Sequence, residues 1–124
     1  MGKAFALAIG SLAGGFARYY LAGFVHRIFG ANFPNGTLAV NLTGCFLIGF
    51  LSALSDEKFL MSSETRLLLM IGFCGAFTTF STFMLETANL LKSGENVQAL
   101  LNVLVNVIFG FVVFKIGIFL AELI

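Results

Sequence analysis

Four long apolar stretches, separated by short polar or glycine-containing connections, run along the 124 residues of this chain. They cover approximately residues 3–28, 36–55, 65–91 and 97–123. An α-helix rises about 1.5 Å per residue, so about 20 apolar residues cross a hydrocarbon core roughly 30 Å thick. The pattern therefore predicts an all-α membrane protein, a single domain of four transmembrane helices without a separate soluble domain in these residues.

The connections between these stretches carry signals that begin and end helices. Ser62 or Ser63 precedes the third stretch as an N-cap, because a serine hydroxyl accepts a hydrogen bond from a free helix amide. Gly94 follows the third stretch, where a glycine commonly ends a helix. The first stretch is far longer than the apolar core of a signal peptide, so we expect it to be retained.

Small and polar residues recur at helical spacing within the apolar stretches. Gly10, Gly14, Arg18 and Ala22 follow one another at steps of four, which places them on one side of the first helix. That side is predicted to pack closely against a neighbouring helix. Comparable faces are formed by Thr37, Asn41 and Gly44 on the second stretch and by Asn102, Asn106, Gly110 and Gly117 on the fourth.

Composition strengthens the membrane interpretation. Hydrophobic residues make up 59% of the chain and charged residues 10%, whereas a soluble domain carries roughly a quarter charged residues. We therefore expect the lipid bilayer, and not nucleic acid, to be the partner of its surface. Cys45 and Cys74 are isolated within apolar stretches, which favours helix packing over a disulfide or a metal site.

The charges outside the apolar stretches give only a weak orientation signal. Lys3, Lys58 and Arg66 lie on one predicted side of the membrane, against Arg27 and Lys92 on the other. Because lysine and arginine accumulate on the cytoplasmic side, such a small difference hardly selects one orientation. Either a single orientation is weakly encoded, or copies insert both ways and pair antiparallel.

The middle of the third stretch is unusually polar for a bilayer midplane. Residues 72–82 include two glycines and four hydroxyl-bearing residues. Non-helical backbone at this depth requires burial in protein or a wet cavity, because an unsatisfied peptide group costs several kcal/mol in hydrocarbon. One interpretation is a helix broken near mid-membrane, whose freed carbonyls can hold a cation such as Na⁺. The alternative is a continuous helix whose hydroxyls bond back to the preceding turn.

Residues in and near this polar run could solvate a small anion. Phe80 and Phe83 lie three apart on one helix face, and the positive edge of a phenyl ring attracts an anion without adding a full charge. Asn41 offers an amide donor on the second stretch, and Thr37 a hydroxyl one turn earlier. Two alternatives stay open, because phenylalanines also pack against lipid and intramembrane asparagines also join helices.

Charged residues inside apolar stretches are costly enough to suggest a function. Arg18 is the deepest of them. Three roles are open for its guanidinium: it supplies positive potential to a water-filled vestibule, it pairs with Glu86, or it caps carbonyls at a helix break. Glu86 and Lys115 lie nearer the ends of their stretches, where snorkelling to the headgroups is the simpler explanation.

Several separated motifs occur together, in order, along the chain. They are Gly14 with Arg18; Gly36, Thr37, Asn41 and Gly44; and, on the third stretch, residues 72–75, residues 78–83 and Glu86. On these motifs the chain resembles the Fluc (CrcB) family of bacterial and archaeal fluoride channels over essentially its whole length.

The resemblance implies an antiparallel, dual-topology homodimer with two fluoride pores in the cell inner (plasma) membrane. It also implies a third helix broken near the membrane centre and a structural Na⁺ on the dimer axis, held by the backbone carbonyls of Gly75 and Thr78. The matching pore positions are Phe80, Phe83 and Asn41, with Thr37, Ser81 and Thr82 at hydroxyl positions near the fluoride path.

The implied function is passive, selective export of fluoride, which relieves fluoride toxicity in the cytoplasm without any chemical reaction. A small dual-topology drug/proton exporter is one alternative, although the first stretch lacks the carboxylate expected for proton coupling. A non-transporting helper subunit is the other, in which Gly10 and Gly14 serve assembly alone. The chain departs from some relatives at Gly110, where they have a serine, and Asn106 is the predicted replacement in the polar track.

Overall fold

In a computed structural model that describes residues 2–56 and 60–124, the chain is built from four helices. Their bounds are Lys3–Phe29 for α1, Asn35–Asp56 for α2, Ser63–Lys92 for α3 and Asn96–Glu122 for α4. No β-strand occurs in the described residues. The all-helical fold expected from the apolar stretches is therefore confirmed, while Lys58 of the predicted charge pattern lies outside the described residues.

Three of these helices, α2, α3 and α4, are long and apolar enough to cross a membrane. The 27 residues of α1 are sufficient in length, but Arg18, Tyr19 and Tyr20 interrupt its apolar sequence. The fourth crossing by α1 and the limits of the single predicted domain stay predictions.

The residues at the helix ends explain where α3 begins and stops. The Ser62 hydroxyl accepts a hydrogen bond from the Thr65 N–H at 3.2 Å, which confirms the N-cap. Gly94 has a φ of 77°, in the left-handed region that favours glycine, just after the last turn. Within α3 and α4 the residues Leu67–Cys74 and Val105–Phe109 form π-helical turns.

Two helix pairs form the body of the molecule: α1 packs along the first half of α3, and α2 packs along α4. A Cβ at Gly10 would overlap the Leu68 carbonyl, and one at Gly14 would overlap the Phe73 carbonyl. The predicted close packing of this side of α1 is therefore confirmed. This packing places the polar run of α3 between Arg18 of α1 and α2.

Candidate functional site

The helical conformation of α3 stops for two residues within the polar run. Thr78 (φ −84°, ψ 160°) and Thr79 (φ −149°, ψ 114°) have extended backbones. The helical segments on either side end at Phe77 and resume at Phe80. Extended residues cannot continue the helical hydrogen-bond ladder, so the neighbouring peptide groups need other partners.

Side chains provide partners for two of these peptide groups. The Thr79 N–H would donate to the Gly75 carbonyl in a continuous helix, but it donates to Asn41 Oδ1 at 2.9 Å. The Thr82 N–H would donate to the Thr78 carbonyl, but it donates to the Thr79 hydroxyl at 3.2 Å. The carbonyls of Gly75 and Thr78 are thereby released from their usual helical donors.

The Asn41 side chain binds both main-chain polar groups of Thr79. Besides accepting from the Thr79 N–H, it donates from Nδ2 to the Thr79 carbonyl at 3.2 Å. The same Nδ2 donates to Oδ1 of Asn106 on α4, also at 3.2 Å. Asn41 therefore joins α2, α3 and α4, so the helix-joining role that was open from the sequence is one of its roles.

A cavity of about 390 Å³ lies beside this segment and is here called the first cavity. Its walls contain most of the residues that were predicted to serve the anion or the cation. These are Asn41, Gly75, Thr78, Phe80, Phe83 and Asn106, and Gly44, Cys45, Ile48, Met70, Cys74, Thr79 and Val107 complete the walls. A largely apolar cavity with a few convergent polar groups is the usual form of a small-ligand site.

The two predicted pore phenylalanines lie next to each other at this cavity. The ring centroids of Phe80 and Phe83 lie 5.7 Å apart with their planes at 53°. Phe83 is buried, at 4% exposure, whereas Phe80 is 73% exposed. The buried ring is held by this chain alone, and the exposed ring leaves most of its surface for lipid or another molecule.

A second cavity, of about 450 Å³, shares Thr79 with the first. Its walls contain four of the five other predicted residues, Arg18, Thr37, Thr82 and Glu86. The Thr37 hydroxyl donates to Glu86 Oε1 at 2.8 Å. The buried Glu86 Oε2 has no hydrogen-bond partner among the described residues.

Arg18 reaches the extended segment from α1. Its Nη1 lies 3.5 Å from the Thr78 carbonyl oxygen, so it caps a carbonyl released from helical bonding. Arg18 and Glu86 form no ion pair in the described part of the chain, although both line the second cavity. The guanidinium also brings positive potential to the wall of this cavity, while the vestibule role stays a prediction.

Two positions from the sequence prediction, Ser81 and Gly110, line neither of the two cavities. Ser81 is exposed. Gly110 is buried, and a Cβ there would lie 3.5 Å from Cys45 Sγ. Asn106, one turn earlier, does line the first cavity, so α4 contributes an amide to the cavity wall.

Three polar residues near the site were not assigned to it from the sequence. Thr79 lines both cavities and binds Asn41. Asn102 Nδ2 donates to the Thr87 hydroxyl at 3.0 Å, and neither residue lines the first cavity. Asn102 lies four residues before Asn106, a spacing that does indicate a shared helix face. Thr87 has no comparable signal, because its partner is on another helix.

Gly44 on α2 provides the space that the Thr78 side chain occupies. A Cβ at position 44 would overlap the Thr78 Cγ2 methyl. We expect Gly44→Ala to displace the extended segment and to lower the free energy of unfolding by about 1–3 kcal/mol, the usual cost of overpacking. Thermal unfolding in detergent measures the effect as a lower Tm. Gly15→Ala is the matched control because its Cβ meets no atom within 4 Å, and equal Tm values for both variants would contradict the contact.

Residues 5–118 match a family model described as CrcB-like protein, Camphor Resistance (CrcB). Proteins called fluoride-specific ion channel FluC are similar to the chain. The protein from Maridesulfovibrio salexigens is 42% identical over 100% of this chain and 98% of its own length, and that from Desulforapulum autotrophicum is 45% identical over 95% and 94%. A third, from Methylococcus capsulatus, is 42% identical over 95% of this chain, which spans about half (52%) of that relative's length.

Proposed function

The chain belongs to the CrcB-like protein family, and we propose that it is a fluoride-selective channel that exports fluoride passively across the cell membrane. Its long apolar helices make it a multi-pass membrane protein. Two relatives that align with this chain over nearly their whole length are called fluoride-specific ion channels. Within the chain, one observation carries the proposal: the first cavity brings together Asn41, Phe80 and Phe83.

The chemistry of these groups suits a small anion. Fluoride enters a largely apolar path only if protein donors replace its bound water. Ring edges of Phe80 and Phe83 carry partial positive charge, and the Asn41 amide carries N–H donors. None of these groups brings a full positive charge, so an anion can bind without being trapped, and no chemical reaction is involved.

We further propose that two copies pair antiparallel and that each pore is lined by both. Gly75 and Phe80 are exposed in the single chain although both line the first cavity. A second copy would cover these exposed groups and close the open side of the cavity. The weak charge bias between the two predicted sides of the membrane supports insertion in both orientations.

A structural Na⁺ between the two copies is also part of the proposal. The carbonyls of Gly75 and Thr78 fit a hard cation, because each has lost its usual helical donor. The described residues hold no cluster of three or more histidine, cysteine or acidic side chains, so main-chain oxygens are the suitable ligands. Arg18 donates one hydrogen bond to the Thr78 carbonyl oxygen, and the second lone pair of that oxygen remains for a cation.

Removal of Na⁺ is expected to weaken the dimer and the fluoride flux together. Without a cation, four carbonyl dipoles from two copies would face one another on the dimer axis. We expect prolonged dialysis into Na⁺-free N-methylglucamine buffer to lower the dimer fraction, and we expect addition of Na⁺ to restore it. Light scattering after size-exclusion chromatography measures the dimer fraction. An unchanged dimer fraction and unchanged flux in Na⁺-free buffer would contradict the cation site.

Purified protein in liposomes tests the function itself. Vesicles loaded with potassium fluoride and potassium chloride are diluted into buffer without either anion, and valinomycin supplies the counter-current of K⁺. We expect rapid release of fluoride, detected with a fluoride electrode, and retention of chloride. Protein-free vesicles are the control. Retention of both anions would contradict the proposal.

The same vesicles separate the two other function classes. A drug/proton exporter would require a proton gradient, and α1 offers no carboxylate for proton coupling. Fluoride release that is independent of a pH gradient therefore excludes that class. A helper subunit would release no fluoride when it is the only protein present.

A further inference from the structure

Four polar side chains form a continuous hydrogen-bonded chain across three helices, here called the amide chain. It begins at Thr87 on α3, passes through Asn102 and Asn106 on α4, and ends at Asn41 on α2. Its links are Asn102 Nδ2 to Thr87 Oγ1 at 3.0 Å, Asn106 Nδ2 to Asn102 Oδ1 at 3.0 Å, and Asn41 Nδ2 to Asn106 Oδ1 at 3.2 Å.

Main-chain groups fix the direction of every link. The Thr87 hydroxyl donates to the Phe83 carbonyl at 2.8 Å, which leaves its oxygen lone pairs to accept from Asn102. Asn106 Nδ2 also donates to the Asn102 main-chain carbonyl at 2.9 Å. Carbonyls cannot donate, so neither the threonine nor the Asn106 amide can reverse without losing a bond.

The two ends of the amide chain differ in their surroundings. Asn102 is 1% exposed, and a buried amide that loses its hydrogen-bond partners is destabilising, so this end is held in place. Asn41 and Asn106 line the first cavity, whereas Thr87 and Asn102 do not. The Asn41–Asn106 bond is thus the one link of the amide chain with both residues at the cavity.

The donors of Asn41 are fully used in this arrangement. Its two N–H groups serve the Thr79 carbonyl and Asn106 Oδ1. Fluoride only accepts hydrogen bonds, so it can bind Asn41 only where it replaces one of these acceptors. The Thr79 carbonyl is held by a second bond between the same two residues, from the Thr79 N–H to Asn41 Oδ1, so Asn106 Oδ1 is the acceptor that can be exchanged.

Resting on the proposed function, we infer that Thr87 and Asn102 are positioning residues of the fluoride path. They hold the Asn106 amide with its Oδ1 toward Asn41. Fluoride then replaces this oxygen as the acceptor of one Asn41 N–H and is replaced by it again when it leaves. An inverted Asn106 would turn its own N–H groups toward those of Asn41. Neither positioning residue touches the anion, because neither lines the first cavity.

Removal of the Thr87 hydroxyl tests this assignment. Thr87→Val keeps the shape of the side chain but removes the acceptor of Asn102 Nδ2, which loosens the Asn102 Oδ1 that helps to hold Asn106. We expect fluoride flux to fall about tenfold, the effect of one lost hydrogen bond. Thr87→Ser keeps the hydroxyl and should restore flux to within about twofold of wild type. Thr43→Val makes the same change at an exposed position of α2 and should leave flux unchanged. Dimer elution and Tm are compared for all variants.

A double-mutant cycle separates positioning from a general loss of packing. Asn106→Leu alone should lower flux about tenfold, and adding Thr87→Val should change it no further, because Thr87 acts through Asn106. A further tenfold loss in the double variant would overturn the inference, as would full flux in Thr87→Val. If wild-type vesicles release no fluoride, the proposed function itself fails, which is a different outcome from any of these.

Discussion

Phe83→Ile and Phe80→Ile are each expected to lower fluoride flux by about 30-fold, the equivalent of roughly 2 kcal/mol for an electrostatic ring contact in desolvated surroundings. Isoleucine keeps the wall of the first cavity apolar but has no positive ring edge to face an anion. The ring centroids lie 5.7 Å apart at the cavity, so each variant removes one of two neighbouring rings. Fluoride-electrode measurements on vesicles give the flux.

The two variants differ in what else they change. Phe83 is buried, so a smaller side chain also leaves a cavity that lowers stability. Phe80 is 73% exposed, and its replacement should change Tm little unless the second copy packs on it. A loss of flux in Phe80→Ile with an intact dimer is therefore the cleaner result for the role of the ring.

The fourth helix offers a matched control for these substitutions. Phe111 and Phe114 also lie three apart, with ring centroids 6.4 Å apart, and Phe111 is 65% exposed outside both cavities. Phe111→Ile should conduct like wild type. If Phe80→Ile and Phe83→Ile also conduct within about twofold of wild type as intact dimers, the account of the pore by ring edges is wrong.

Much of the fold could be predicted because its signals are local in the sequence. The four-residue spacing of Gly10 and Gly14 can be read from the sequence without knowing which helix packs against them. Both residues do contact the backbone of α3. Ser62 begins α3 through a hydrogen bond to Thr65, and Gly94 follows its end with a positive φ, so both signals lie within a few residues of the helix. These features follow from helix geometry alone.

The site could be predicted less completely, because its bonds join distant parts of the chain. The Asn41–Asn106 bond spans 65 positions and the Arg18–Thr78 contact spans 60. Spacing within one helix shows which residues share a face but not which helix lies opposite. For this reason Arg18 had three open roles, and Thr87, whose partner lies on α4, was not assigned at all. The proposed Na⁺ ligands came from family resemblance rather than from spacing.

Asn41→Asp is expected to lower fluoride flux by about a hundredfold, because two hydrogen bonds from the amide, each worth about 1–1.5 kcal/mol, are lost. The carboxylate keeps the size of the amide and still accepts from the Thr79 N–H. It cannot donate to the Thr79 carbonyl and Asn106 Oδ1 as the amide does. An ionised carboxylate would also repel fluoride directly.

A matched substitution at Asn96 distinguishes this effect from the charge alone. Asn96 is exposed at the start of α4, where a negative charge suits the helix N-terminus, so Asn96→Asp should conduct like wild type. The dimer peak and Tm of Asn41→Asp show whether the extended segment survives. If that variant remains a dimer and conducts within about twofold of wild type, no N–H of residue 41 reaches fluoride. The amide of Asn41 would then only join the three helices, and the donors for fluoride would have to lie elsewhere in the cavity.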